Sequence, residues 1–228
     1  MLSIPFSLTD MNGLFSPSRI LQYIVVIGMF AVTAWLYPSL PSSMPIHWDI
    51  AGHINGWAPK EWGAWIAPAI GLLLTILFPV FATIDPKSEN YKDFSRAWNL
   101  LQLCIVIFFA YMEGVVFYTI FHPAHNALLG RDLLIGIGFL FVVLGNYMGK
   151  IRQNFFIGVR TPWTLSDPEV WHQSQRIGGW TFVIGGIATI ILSWLFPMTI
   201  GWFIGVIVAI VVIPVLSSYV LYQRKKRS

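Results

Sequence analysis

Cysteine is almost absent from this chain, and charge is scarce. One residue, Cys104, stands alone among 228, so no intrachain disulfide is possible and no redox compartment follows from cysteine usage. Charged residues make up 11% of the chain, about half the share of a soluble globular domain, which argues against an ordinary water-soluble fold. There is no Walker loop, dinucleotide fingerprint, HExxH, Ser-His-Asp pattern or cysteine cluster. The common sequence routes to nucleotide hydrolysis, hydride transfer, zinc proteolysis and acyl transfer are therefore missing. The chain is expected not to be an enzyme and to carry no cofactor. It also lacks low-complexity tracts, a strong repeat and a separate soluble domain.

What it has in abundance is apolar surface. Hydrophobic residues account for 56% of the chain, and the mean hydropathy is +0.69. Six runs approach the ~20 residues that cross a hydrocarbon core: roughly 20–37, 62–84, 97–121, 133–148, 179–196 and 199–222. The fourth is short, and its helix is expected to begin nearer residue 127. These runs are continuously apolar rather than alternating, which excludes a membrane β-barrel. The expected fold class is all-α: a polytopic bundle of six transmembrane helices, with a two-span region over 1–95 and a four-span region over 96–228. No Ala-x-Ala-like site follows the first run, so it is expected to be retained rather than cleaved. Pro68, Pro79 and Pro214 are candidate kinks. Gly145 with Gly149, and Gly201 with Gly205, offer small-residue packing faces.

Basic residues orient the bundle. Of 14 Lys and Arg, all but Lys60 and Arg131 fall on alternate connections: Arg19 before the first run; Lys87, Lys92 and Arg96 after the second; Lys150, Arg152, Arg160 and Arg176 after the fourth; and Arg224 to Arg227 in the tail. The positive-inside rule then puts both termini in the cytoplasm. This topology accounts for the net charge of +4 without nucleic acid as a partner; the bilayer is the expected one, with the basic tail against anionic lipid.

The loops differ in character. The first outer loop, PSLPSSMPIHWDIAGHINGWAPKEW, is rich in turn formers and tryptophan, as in a small cap lying at the headgroup level. The connection IDPKSENYKDFSR gives no chemical signal. Residues 149–179, GKIRQNFFIGVRTPWTLSDPEVWHQSQRIGG, are the dense polar stretch. Ser166-Asp167-Pro168-Glu169 is a helix start, and Gly178-Gly179 suits a bend into the fifth span. Pro162 biases Thr161 away from helix, so 158–164 is expected to be extended or re-entrant. Arg160 can stack on Trp163, or bind lipid phosphate or a carbonyl cluster. The same stretch reads equally well as a rigid interfacial connector or as a docking surface.

The pattern N-x-x-I-G-V-R-T-P-W-T-L, followed by V-W and G-G, resembles the signature of the SdpI family of bacterial membrane immunity proteins. It is carried by Asn154, Gly158, Arg160, Thr161, Pro162, Trp163, Thr164, Leu165 and Trp171. The outer-loop string M-P-I-H-W-D-I-A-G-H-I-N-G-W, with Pro45, His47, Gly52 and Trp57, resembles the companion domain of unknown function, DUF1648, that precedes it in that family. A Thr-His pair often follows the V-W in the family; Ser174-Gln175 stands there instead. The resemblance implies a multi-pass protein of the bacterial cell membrane that resists a secreted peptide toxin met at its outer face. It also implies a possible receptor role, in which a cytoplasmic transcriptional repressor is sequestered.

Two features support rival readings. His47, His53, His122 and His125 share the outer face with Asp49, a donor set suited to zinc or copper and hence to a metal-binding protein or membrane enzyme. The proline within HPAH argues against one helical face for the last two. Glu113 is the acidic residue deep in a span, where ionisable groups are functional by default. It suits a cavity for a cationic peptide or a proton relay in a small transporter or channel. Its other reading is a protonated acid bonded to a nearby Tyr or Asn, with Asn99, Gln102 and Asn146 as candidate partners.

Overall fold

The computed structural model describes residues 16–49, 53–196 and 200–227. Six long helices carry most of it: α1 (Pro17–Leu36), α2 (Ile66–Ile84), α3 (Ser95–Phe121), α4 (Leu129–Met148), α5 (Pro168–Leu195) and α6 (Ile200–Arg227). With their flanking turns, all six are long and apolar enough to cross a membrane. Spanning segments must satisfy their backbone internally, so helices are the form these apolar runs take. The all-α bundle read from the hydropathy pattern is the architecture found.

α3 occupies the middle. It packs on α1 and α2 on one side and on α4 on the other, while α5 lies between α4 and α6. α4 starts at Leu129, after a 3-10 turn over Pro123–Leu128. Pro79 and Pro214 lie inside helices. Pro68 does not interrupt one: it sits in the first turn of α2, where its missing N–H would have no intrahelical partner anyway.

The loop between α1 and α2 departs from the helical theme. It folds into a two-stranded antiparallel hairpin, β1 (Ser43–Trp48) against β2 (Ile54–Pro59), with irregular register on either side of His47. Met44 and Pro45 point inward and are buried. Met44 packs with Leu40, Ala64 and Phe117, so the hairpin is seated on the ends of α1 and α3. Lys60 fixes its root: the ammonium donates to the carbonyls of Tyr37 and Leu40 at 3.0 and 3.3 Å and lies 4.5 Å from the Tyr37 ring centre.

Glycine placement sets the closest helix contact, and here the sequence reading is corrected. Gly201 and Gly205 face open space, and Gly149 meets only the Arg176 stem. The pair of faces that meet are instead Gly138 and Gly145 on α4, against Gly186 and Gly179 on α5. A Cβ at Gly145 would lie 2.6 Å from the Gly179 carbonyl oxygen, and one at Gly138 would lie 2.7 Å from that of Gly186. The seven-residue spacing on both helices brings each pair to one face, two turns apart. Gly178 and Gly179 thus serve packing rather than a bend, and α5 runs unbroken from Pro168 to Leu195.

Gly145→Val is expected to destabilise the bundle by about 2 kcal/mol through overpacking, while Gly205→Ala changes stability by less than about 0.5 kcal/mol. Thermal unfolding in detergent micelles measures both; equal effects would contradict the assigned contact.

Candidate functional site

The dense polar stretch is a wedge of irregular backbone held from three sides. Asp85, 3% exposed, is the first clamp. One oxygen accepts the Lys87 N–H at 2.7 Å; the other accepts the Phe155 N–H and the Tyr91 hydroxyl, both at 2.9 Å. Burial, then the hydrogen bond and charge of Asp85, push the Tyr91 phenol far above its usual range; the Arg160 charge opposes them. Tyr91 therefore stays a neutral donor. Asn154 is fully buried. Its side-chain oxygen accepts the Phe156 and Ile157 N–H groups at 2.9 and 2.8 Å, and its amide donates to the Arg152 carbonyl. This side-chain turn makes Asn154 the internal pivot of the motif.

Gln153 is the second clamp. Its amide donates to the carbonyls of Thr164 and Leu165 at 2.7 and 2.8 Å, and its oxygen accepts from Lys87. Asn90 donates to the Gln153 carbonyl. The third clamp comes from α5. The Gln175 oxygen accepts the Val159 N–H at 3.0 Å, and its amide donates to the Val159 carbonyl at 3.1 Å. A glycine is required beside it: Gly158 has φ 101°, and a Cβ there would meet the Gln175 oxygen at 2.6 Å.

The rest of the motif turns into a short helix, Pro162–Ser166, capped by a reciprocal Thr161–Thr164 box. The expected extended run over 158–164 is thus correct only as far as Thr161. Arg160 does not stack on Trp163. Its guanidinium donates to the Phe155 carbonyl at 2.5 Å, while Trp163 packs edge-on to Tyr219 and donates to the Ser218 hydroxyl on α6. Trp171 is 2% exposed and donates to the Ile151 carbonyl at 2.9 Å. Asp167 caps α5 and receives Lys225 from the tail at 2.8 Å. The Lys225 hydrogen bond, with the Val170 N–H, holds the Asp167 carboxyl below its ordinary value.

At the opposite end of the bundle the hairpin covers a cavity of about 230 Å³. Met44, Pro45, Ile46 and Trp48 line it from above, and Glu113 lies among the apolar residues of α3. Glu113 is 6% exposed and accepts from the Thr33 hydroxyl on α1 at 2.5 Å. Its partner is therefore Thr33, not Asn99, Gln102 or Asn146. His47 and Trp57 are on the hairpin's exposed side; Gly52 lies outside the described residues. His47 bonds Asn55, His53 bonds Asp49, His122 stacks on Tyr118, and His125 bonds Asp132 at 2.7 Å. Among the described residues, no three His, Cys, Asp or Glu side chains converge as metal donors would.

The known proteins that the chain resembles agree with this division into two ends. Residues 24–72 match the domain of unknown function DUF1648, and residues 150–220 match the SdpI/YfhL protein family. Immunity protein SdpI of Bacillus subtilis (strain 168) is 27% identical over 209 residues, which cover 90% of this chain and 96% of the relative. No solved structure matches. With six spanning helices and this relative, the chain is a multi-pass bacterial membrane protein. The stretch that matches the SdpI/YfhL family model takes in the wedge, α5 and most of α6; the stretch that matches DUF1648 takes in the hairpin.

Sequence reasoning missed Asp85, Tyr91, Gln153, Gln175 and Ser218. Asp-Pro and Asn-Tyr in the 85–94 connection were the available signals, but each is common in loops.

Asp85→Ala is expected to leave the Phe155 N–H without its acceptor, at a cost of about 2 kcal/mol. The Phe155 amide should then exchange hydrogen roughly thirtyfold faster; unchanged exchange would contradict the clamp. The tail contact has its own signature. A carboxyl held low in the folded state stabilises it above the unfolded value, and that contribution is lost as pH falls. Tail mobility, read by a spin label near residue 225, is therefore expected to rise below about pH 4 and to be raised at neutral pH in Asp167→Asn.

Proposed function

We propose that this chain is a bacterial membrane immunity protein that protects its cell against a secreted, membrane-active peptide toxin. Both termini face the cytoplasm, so the hairpin end is outside and the wedge inside. The observation that carries the reading is the cavity in which Met44, Pro45, Ile46 and Trp48 meet Glu113. It gives an amphipathic peptide an apolar slot with one acid at its floor, facing the side from which a secreted toxin arrives. Similarity along nearly the whole length of an immunity protein supports the same assignment.

The mechanism follows from what each part can do. The slot takes up apolar side chains of the toxin and removes them from the bilayer. Glu113 pairs with a cationic or hydrogen-bonding group, an interaction that gains strength in a low-dielectric site. At the other end, the exposed faces of Arg160, Pro162 and the α5 start form the surface that a cytoplasmic repressor docks on. Toxin binding alters that docking only to the extent that it favours one arrangement of the bundle over another.

The test is survival of a sensitive bacterium exposed to a panel of such peptides. Wild-type protein is expected to raise the half-lethal toxin concentration; Glu113→Gln is expected to lose about tenfold of that protection, the worth of one charge-assisted contact. Arg160→Ala should retain protection and lose repressor capture. Absence of protection by well-expressed wild type across the panel would refute immunity, and proton flux abolished by Glu113→Gln would replace it with transport.

A further inference from the structure

A second cavity, of about 420 Å³, lies under the wedge. It is larger than the slot at the hairpin end, and the immunity reading makes no use of it. Its walls come from both halves of the bundle: Leu101, Gln102 and Ile105 on α3, Leu144 on α4, and Val211 and Val215 on α6, with Gly158 to Arg160 at the wedge. Val211 and Val215 are 55% and 37% exposed. They are apolar residues on a spanning helix, so the space between α3 and α6 opens sideways into hydrocarbon.

Two polar groups mark this apolar space. Gln102 is 1% exposed, and neither its amide nitrogen nor its oxygen has a hydrogen-bond partner. An unsatisfied buried amide is costly, and a water beside it needs two to four polar partners, which Leu101, Ile105 and Leu144 do not supply. Arg160 is the other. One of its five N–H donors is spent on Phe155, which leaves the rest of the fork for an anion. Arg152 and Lys150 stand on the same end, both exposed.

The depths match a lipid. α3 has 27 residues, roughly 40 Å at 1.5 Å per residue, against about 30 Å of hydrocarbon. Gln102 lies about 10 Å in from the Ser95 end, just inside the boundary where headgroup gives way to chain. The volume takes roughly a dozen methylene-sized groups at about 30 Å³ each, the share of a water.

We propose that this cavity is a lipid site holding one acyl chain of an anionic glycerophospholipid, whose phosphate meets Arg160 and whose ester carbonyl accepts from the Gln102 amide. The chain enters between α3 and α6, and the bound lipid braces the wedge from below. The site links the SdpI/YfhL segment to membrane composition independently of any toxin.

Native mass spectrometry of the purified full chain, mixed with phosphatidylglycerol, phosphatidylcholine or free palmitate, tests this. One phosphatidylglycerol per chain is expected to survive desolvation, retained about tenfold better than phosphatidylcholine of the same chains. Gln102→Leu should cut retention severalfold, and Arg160→Ala should erase the preference between the two headgroups. Leu144→Trp should fill the cavity and abolish retention; Val211→Trp, at the lateral mouth, does the same without touching the bundle's interior. A photoreactive acyl chain on phosphatidylglycerol should label residues of α3 and α6 at the cavity. The proposal is overturned if neither phospholipid is retained singly, if palmitate is held better than phosphatidylglycerol, or if retention in folded Gln102→Leu and Val211→Trp equals wild type.

Discussion

One buried carboxylate organises the end of the molecule that carries its most distinctive sequence. Asp85 gives two oxygens to three donors from two stretches of chain. The reason is a constraint of the bilayer: backbone that is not helical has no water to turn to near hydrocarbon, so protein groups must satisfy it. Residues 149–161 are irregular, and side chains from within the stretch and from elsewhere satisfy much of their backbone. Asp85 takes one N–H, Asn154 two, and Gln175 both polar atoms of Val159. The motif is therefore specific because it is a set of hydrogen-bond obligations, and apolar composition alone could not meet them.

α3 connects the two ends. Glu113 under the hairpin and Gln102 under the wedge sit about three turns apart on that helix, and so on nearly the same face of it. One is bonded to Thr33; the other has no bond. Each is the polar side chain that α3 itself contributes to a largely apolar cavity. The same central helix thus walls an apolar space toward each end of the bundle.

The spans and the multi-pass fold were legible because a hydrocarbon core imposes length and composition directly on sequence. The wedge was legible as a segment: its Pro, Gly and helix-start residues are local signals, and Thr161, Pro162, Asp167 and Pro168 do what local chemistry predicts. Its anchors were not. Asp85 and Gln175 act across long separations in the chain, and a side chain that bonds distant backbone leaves no periodicity behind. Ser174-Gln175 looked like a departure from a family pattern, yet Gln175 grips Val159 with both ends of its amide. The glycine faces were misassigned for a related reason. Small residues at four-residue spacing mark what a helix permits, and only the partner decides which face is used. The hairpin was foreseen as a cap but not as strands, since Pro45 and Gly56 weaken the alternation that would announce them.

The unbroken course of α5 has a mechanical consequence. Glycines at 178 and 179 would make a hinge if they were free, but Gly179 is committed to contact with the Gly145 carbonyl, and the helix passes straight through. Its 28 residues form a rod roughly 42 Å long. At one end Trp194 lies under the Arg131 guanidinium; at the other, Gln175 holds the Val159 peptide. Such a rod has no joint in which to lose motion. The rod therefore fixes the distance between Trp194 and Gln175, and with it the distance from the Arg131 guanidinium to the Val159 peptide.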